Sequence, residues 1–241
     1  MIDWLATVAL GPLLIGQGVY TRITTPKLPE PNGQRQGEIG EGPALRLLVL
    51  GDSAAAGVGV NCQSEALSGR LSTELSSDFL VTWKLMAQSG LDSREVFQKL
   101  QEMPVEKFDA VVVSVGVNDV TSKTGVQGWK DSMEELISCL TTRFGAELVV
   151  LSPVPPMHAF PALPQPLRWW LGKKAHRFNN VLSVIASEHE RCLILPGEFP
   201  LEQELMASDG FHPGKQIYAL WAKDAASAIK SRISNFRGSR Q

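Results

Sequence analysis

From residue 45 onward, short apolar runs alternate with stretches of helical periodicity. Residues 45–50 (LRLLVL) have the length and content of a strand that stops at Gly51, and Leu67, Leu71 and Leu75 then repeat at i, i+4 and i+8. Residues 79–87 predict a weaker strand. A turn over residues 89–93 leads into a helix carrying Val96 and Leu100. The run 110–115 (AVVVSV) is continuously β-branched, as expected of a strand buried on both faces of a parallel sheet. Trp129, Met133, Leu136, Ile137, Leu140 and Phe144 form the next helical stripe, which ends before Gly145. Residues 148–151 and 193–195 predict two further strands, joined by a helix around Ala175, Phe178, Leu182 and Ile185. A last helix puts Ile217, Leu220, Trp221, Ala225 and Ala228 on one side. Five strands, each followed by a helix and with no internal repeat, predict an α/β fold: a three-layer α/β/α sandwich around a mainly parallel five-stranded sheet.

The N-terminal pattern is different. Residues 4–21 are 18 consecutive positions without a charge, at the lower limit of a membrane span. Pro12, Gly11, Gly16, Gly18 and Gln17 interrupt the run. Asp3 replaces the basic region a signal peptide would need, and no small-x-small cleavage site precedes Arg22. Two readings stand. Residues 4–21 form either an apolar helix packed on the protein's own surface or a membrane-surface contact. In the second, Arg22 and Lys27 keep the following domain on the cytoplasmic side. A cytoplasmic or membrane-associated location is expected over a secreted one. Residues 24–43, with Pro26, Pro29, Pro31, Pro43 and four glycines, read as an extended linker without a core. The expected division is 1–43, apolar segment plus linker, and 44–241, the α/β domain.

Composition narrows the function. Of 241 residues, 44% are hydrophobic and 20% charged, and 23 Lys+Arg against 25 Asp+Glu give a net charge of −2. That balance lacks the basic footprint of a nucleic-acid binder. Cys62, Cys139 and Cys192 are odd in number and widely spaced, so neither a disulfide framework nor a CxxC zinc site is expected. No His, Cys or carboxylate pair has metal-ligand spacing, and no cofactor is implied.

In a parallel sheet, ligands bind beyond the carboxyl ends of the strands. Strand one ends in Gly51-Asp52-Ser53, strand two leads to Gly90, and strand three ends in Gly116-Val117-Asn118-Asp119. Asp209-Gly210-Phe211-His212 precedes the last helix. Each alone has a plain structural explanation, Ser53 as a helix N-cap and Asn118-Asp119 as turn residues. In this order they make the chain resemble the GDSL, or SGNH, hydrolase superfamily of esterases and lipases, over roughly residues 45–229. The glycine block reads Met86-Ala87-Gln88-Ser89-Gly90 and lacks the asparagine often found before that glycine.

The resemblance implies a flavodoxin-like fold and a serine esterase acting on small-molecule carboxylic esters, with Ser53, His212 and Asp209 as catalytic triad. It further implies an oxyanion hole from the backbone N–H groups of Ser53 and Gly90 and the side-chain amide of Asn118. A thioesterase, an acyltransferase or an O-acetylesterase would use the same residues, and a non-catalytic ligand-binding module is a further alternative. The G-x-S-x-G elbow of α/β-hydrolases is excluded because position 55 is Ala. Gly51, Gly57 and Gly59 follow a strand as a phosphate loop would, but they match neither G-x-G-x-x-G nor a Gly-Lys-Ser/Thr loop. The Pro-rich, apolar stretch 152–172 is either a pocket wall or a packed loop over the sheet edge. As a wall, it would bring Phe160, Trp169 and Trp170 to a pocket shared with Asp52 and Phe211, and would favour a hydrophobic substrate.

Overall fold

The computed structural model describes residues 2–197 and 202–238, with side chains described over 10–197 and 202–233. Strands form on the apolar runs: β2 (Ala44–Gly51), β3 (Leu80–Ala87), β4 (Ala110–Ser114), β5 (Leu148–Leu151) and β6 (Cys192–Ile194). They pair in parallel in the order β3-β2-β4-β5-β6. All of β4 and β5 is buried, which is why their sequences show no polar alternation.

The period-two alternation of β2 sorts its side chains between two helical layers. Leu48 and Leu50 join the cluster under α4 (Ser93–Glu102), α6 (Val126–Thr142) and α7 (Leu167–Glu188). Leu45, Leu47 and Val49 join the cluster under α3 (Leu67–Leu75) and α8 (Lys215–Gly238). Truncating any one of these fully buried leucines to Ala would cost about 2–5 kcal/mol. Strand order reverses between β2 and β4, and there the loops after the two strands turn to opposite faces and leave a crevice.

The sheet has six strands where the hydrophobic pattern predicts five. Residues 36–39 of the expected linker form β1 (Gln36–Ile39), antiparallel to β3 with Gln36 opposite Lys84 and Ile39 opposite Val81. All four residues are exposed, so the strand has no hydrophobic period to reveal it. Arg35 helps anchor it: its carbonyl accepts from Leu85 N–H (2.7 Å), and its guanidinium bonds Ala87 O and the Glu30 carboxylate. Leu220, expected on the buried side of α8, is instead 42% exposed, because the core stripe runs through Ile217, Tyr218, Trp221 and Ala225.

Residues 2–24 form α1 (Ile2–Thr24). Leu14 is buried in the same core cluster as Leu163 and Leu167, and Leu10 packs against it. Gln17 clamps α1 to the start of α7: its amide N–H donates to Gln165 O (2.6 Å) and its carbonyl accepts from Leu167 N–H (3.0 Å). No helix among the described residues is long and apolar enough to cross a membrane.

Candidate active site

Strand β2 ends on Gly51 with φ +155°, where a Cβ would stand 1.8 Å from Ser114 O. Only a bare backbone lets the chain pass β4 this closely, and Asp52 N–H then donates to that same carbonyl at 3.0 Å. Asp52 caps the short helix α2 (Ser53–Ala56), its carboxylate accepting Ala54 N–H at 3.1 Å. Ser53 therefore opens a helix directly beyond the strand end.

From the turn before α8, His212 reaches back to it. His212 Nε2 lies 2.9 Å from Ser53 Oγ, and His212 Nδ1 lies 2.6 Å from Asp209 Oδ2. The other carboxylate oxygen of Asp209 accepts the backbone N–H groups of Phe211 and His212, both at 2.9 Å. Burial works to raise the Asp209 pKa, but the bonds from His212 and Phe211 outweigh it and hold the group below the usual carboxylate range. Asp52 is the opposite case. Burial pushes its pKa up to about 7, against the smaller lowering from Ala54 N–H and His212.

Gly90 lies exposed beyond β3 with φ +89°, and open space surrounds the position a Cβ would take. Asn118 sits in α5 (Val117–Thr121), and its amide donates to Leu91 O at 2.9 Å, which ties it to the glycine loop. The amide nitrogen carries a second hydrogen that this bond does not use. The next residue, Asp119, is buried and accepts both Ser93 N–H (2.9 Å) and Ser93 Oγ–H (2.6 Å). Burial raises its pKa in spite of those bonds. Lys174 Nζ donates from α7 to Asp119 O and Ser122 O (3.0 and 2.9 Å), closing the C-terminal end of α5. Burial lowers that ammonium to about 8. On the other side of the loop, Glu30 accepts Ser89 N–H at 2.7 Å.

Asp119 and Glu30 thus brace the loop that carries Gly90, and Lys174 braces the end of α5. None of their partners is readable from sequence, since 26, 55 and 59 residues separate the members of these pairs. Asp119 alone leaves a trace, as the last residue of the Gly-x-Asn-Asp block.

Beside Ser53 and His212 opens a cleft. Its walls are apolar: Val115, Pro153, Pro155, Phe160, Ile217 and Trp221. Phe160 meets Phe211 edge to face at 5.0 Å, and Phe211 in turn meets the His212 ring at 5.5 Å. Asp52, Phe160 and Phe211 lie at the cleft. Trp169 and Trp170 do not. The excursion already ends at Leu167, where α7 begins, and the helix carries both indoles away from the cleft. Trp169 is 37% exposed beneath Lys173 Nζ (4.3 Å), and Trp170 packs against the core. Trp221, which sequence reasoning assigned only to the core, supplies a wall instead and donates from Nε1 to Ser152 Oγ at 3.0 Å. Gly90 and Asn118 stand outside the cleft lining. Among the described residues, no group of three or more His, Cys, Asp or Glu side chains could hold a metal ion.

The model of the GDSL-like Lipase/Acylhydrolase family matches residues 49–220, a span that includes Ser53, Gly90, Asn118, Asp209 and His212. A GDSL-like esterase of Mycobacterium tuberculosis is 27% identical over 244 residues, covering 92% of this chain and 77% of that protein. Among solved structures, a lipase/acylhydrolase from Enterococcus faecalis superposes with a TM-score of 0.61 at 19% identity, over 78% of this chain and 96% of its own. The psychrotrophic esterase EstA from a Pseudoalteromonas species gives a TM-score of 0.61 at 18% identity, over 78% and 98%. At these identities the two structures establish a shared fold.

Proposed function

Because the chain belongs to the GDSL-like lipase/acylhydrolase family and is a carboxylic ester hydrolase, we propose that it works as a serine esterase through an acyl-enzyme, with Ser53, His212 and Asp209 as its triad. The observation that carries this reading is the unbroken line of contacts from Ser53 Oγ to His212 (2.9 Å) to Asp209 (2.6 Å). A serine hydroxyl is a weak nucleophile at neutral pH and needs a base within hydrogen-bond reach. His212 Nε2 takes the Ser53 proton as Oγ attacks the ester carbonyl, and returns it to the leaving alcohol. Water then attacks the acyl-enzyme by the same route in reverse. Asp209 fixes the imidazole with Nδ1 protonated and stabilises the imidazolium.

The tetrahedral oxyanion is received by Ser53 N–H, Gly90 N–H and the second amide hydrogen of Asn118. Donors held in place before reaction need no reorganisation during it, and each is worth roughly 3–4 kcal/mol of transition-state stabilisation. The bond from Asn118 to Leu91 O and the bracing of Ser93 by Asp119 supply that preorganisation. An apolar cleft beside the nucleophile suits small or hydrophobic acyl esters.

Ser53→Ala and His212→Ala are expected to abolish hydrolysis of aryl esters while circular dichroism stays unchanged. Full activity in either folded variant overturns the assignment. A panel of esters of increasing acyl length, with thioester and acetylated-sugar competitors, locates the preferred substrate class.

A further inference from the structure

Helix α1 is apolar on both sides, unlike an ordinary surface helix, with Leu10 also packed inward. Its inward side carries Leu14 with the polar Gln17 and Thr21, while its outward side carries Leu13, Ile15, Val19, Tyr20 and Ile23, each at least 50% exposed. At 100° per residue the outward set, with Pro12 and Gly16, forms one stripe without a polar side chain from residue 12 to 20. Five of the eleven large hydrophobic residues exposed among the described residues lie in this one stretch of 11 positions. Trp169, two residues beyond the Gln17 clamp, adds an exposed aromatic ring.

Charge is segregated onto the same elements. Residues 4–29 and 148–187 contain Arg22, Lys27, Arg168, Lys173, Lys174 and Arg177 and not one Asp or Glu, whereas the remaining chain has 17 Lys+Arg against 25 Asp+Glu. The packing of α1 on α7 brings these two acid-free segments together.

We propose that the outward stripe of α1, with the basic start of α7, docks the protein on the surface of an anionic phospholipid bilayer, α1 lying along the interface. Exposed apolar residues flanked by Arg and Lys, with Tyr and Trp at the margin, are the chemistry an interface selects. Gln17 and Leu14 hold the opposite side of the helix on the protein, so its whole circumference is never offered to lipid. A second copy of this chain fits the stripe less well, because a two-fold contact would set the same basic segments against each other. The excursion that provides Pro155 and Phe160 to the cleft ends at the residues Gln17 clamps, so docking brings the bilayer alongside the structure that walls the site.

The proposal is independent of the esterase mechanism and is tested by binding. The full chain is cosedimented with vesicles of pure phosphatidylcholine and of phosphatidylcholine mixed with phosphatidylglycerol, at low and high salt. Partitioning onto the mixed vesicles is expected to exceed that onto the neutral ones by about tenfold or more and to fall at high salt. Arg22→Gln with Lys27→Gln should weaken it by up to roughly 30-fold, about fivefold per charge removed. Ile15→Glu with Ile23→Glu should abolish it, while turnover of a soluble ester remains unchanged. Equal binding to both vesicle types, binding to neither, or binding untouched by both double variants overturns the proposal. So does a dimer of the native chain that the Ile15→Glu/Ile23→Glu pair dissolves, since a second copy would then cover the stripe.

Discussion

Asp52 offers a quantitative test of how burial and charge are balanced beside the nucleophile. Its carboxyl is 2% exposed and accepts Ala54 N–H. Burial raises its pKa from 3.8 to about 7. Below pH 3.8 the folded and unfolded chains both hold this proton. Between 3.8 and about 7 only the folded chain holds it, so folding takes up a proton and stability falls as pH rises. Above 7 both states are ionised and the full penalty persists. At 1.36 kcal/mol per unit, the shift amounts to about 4 kcal/mol. Asp52→Asn keeps the volume and the oxygen that accepts Ala54 N–H but cannot ionise. The variant should match the native protein near pH 4, within the ~1 kcal/mol of an altered hydrogen bond, and exceed it by up to about 4 kcal/mol at pH 8. Urea unfolding of both proteins at intervals from pH 4 to 8 measures this. Asp119, whose pKa is also raised, is present in both proteins, and its charge adds to the rise at Asp52. A difference that stays constant across that range, or that grows in favour of the native chain, would refute the reasoning, because Asp52 would then ionise as an ordinary exposed carboxyl does.

Other substitutions examine separate parts of the site. Asp209→Asn removes the acceptor that sets the His212 tautomer, and kcat on an aryl ester should fall roughly 10⁴-fold with the fold intact; a loss under tenfold contradicts the triad. Asp119→Ala strands the buried N–H and O–H of Ser93 and should lower unfolding stability by about 2–6 kcal/mol in urea. It should also reduce kcat more than it raises KM, since the brace acts on transition-state donors. Phe160→Ala should change KM across a series of acyl lengths by enlarging the cleft, whereas Trp169→Ala should leave the series unaltered.

The strands and the motif order were legible because both are local. The double burial of β4 and β5 appears in sequence as runs of Val, Leu and Ala broken only by the terminal Ser114, and the Gly-Asp-Ser, Gly-x-Asn-Asp and Asp-x-x-His blocks each lie within four residues. That these blocks follow strand ends at one edge of the sheet was inferable too, since a right-handed α/β sheet carries the end of every parallel strand there. By itself, then, the sequence determined the layer architecture and the residues that meet at Ser53. What it left open depended on partners remote in the chain or on backbone alone. β1 is held by main-chain hydrogen bonds to β3 and exposes all its side chains, so no pattern of polarity marks it. Trp169 and Trp170 differ from Phe160 only in that α7 starts at Leu167 and turns them away. Glu30, Asp119 and Lys174 act through contacts 26 to 59 residues away. The uncharged run at the N-terminus had two readings, an apolar helix packed on the protein or a membrane-surface contact. Tertiary packing divides that helix instead: Gln17 and Leu14 commit one side to the protein, and the other remains apolar and exposed, because a helix has two sides and its composition does not say which one the rest of the chain will cover.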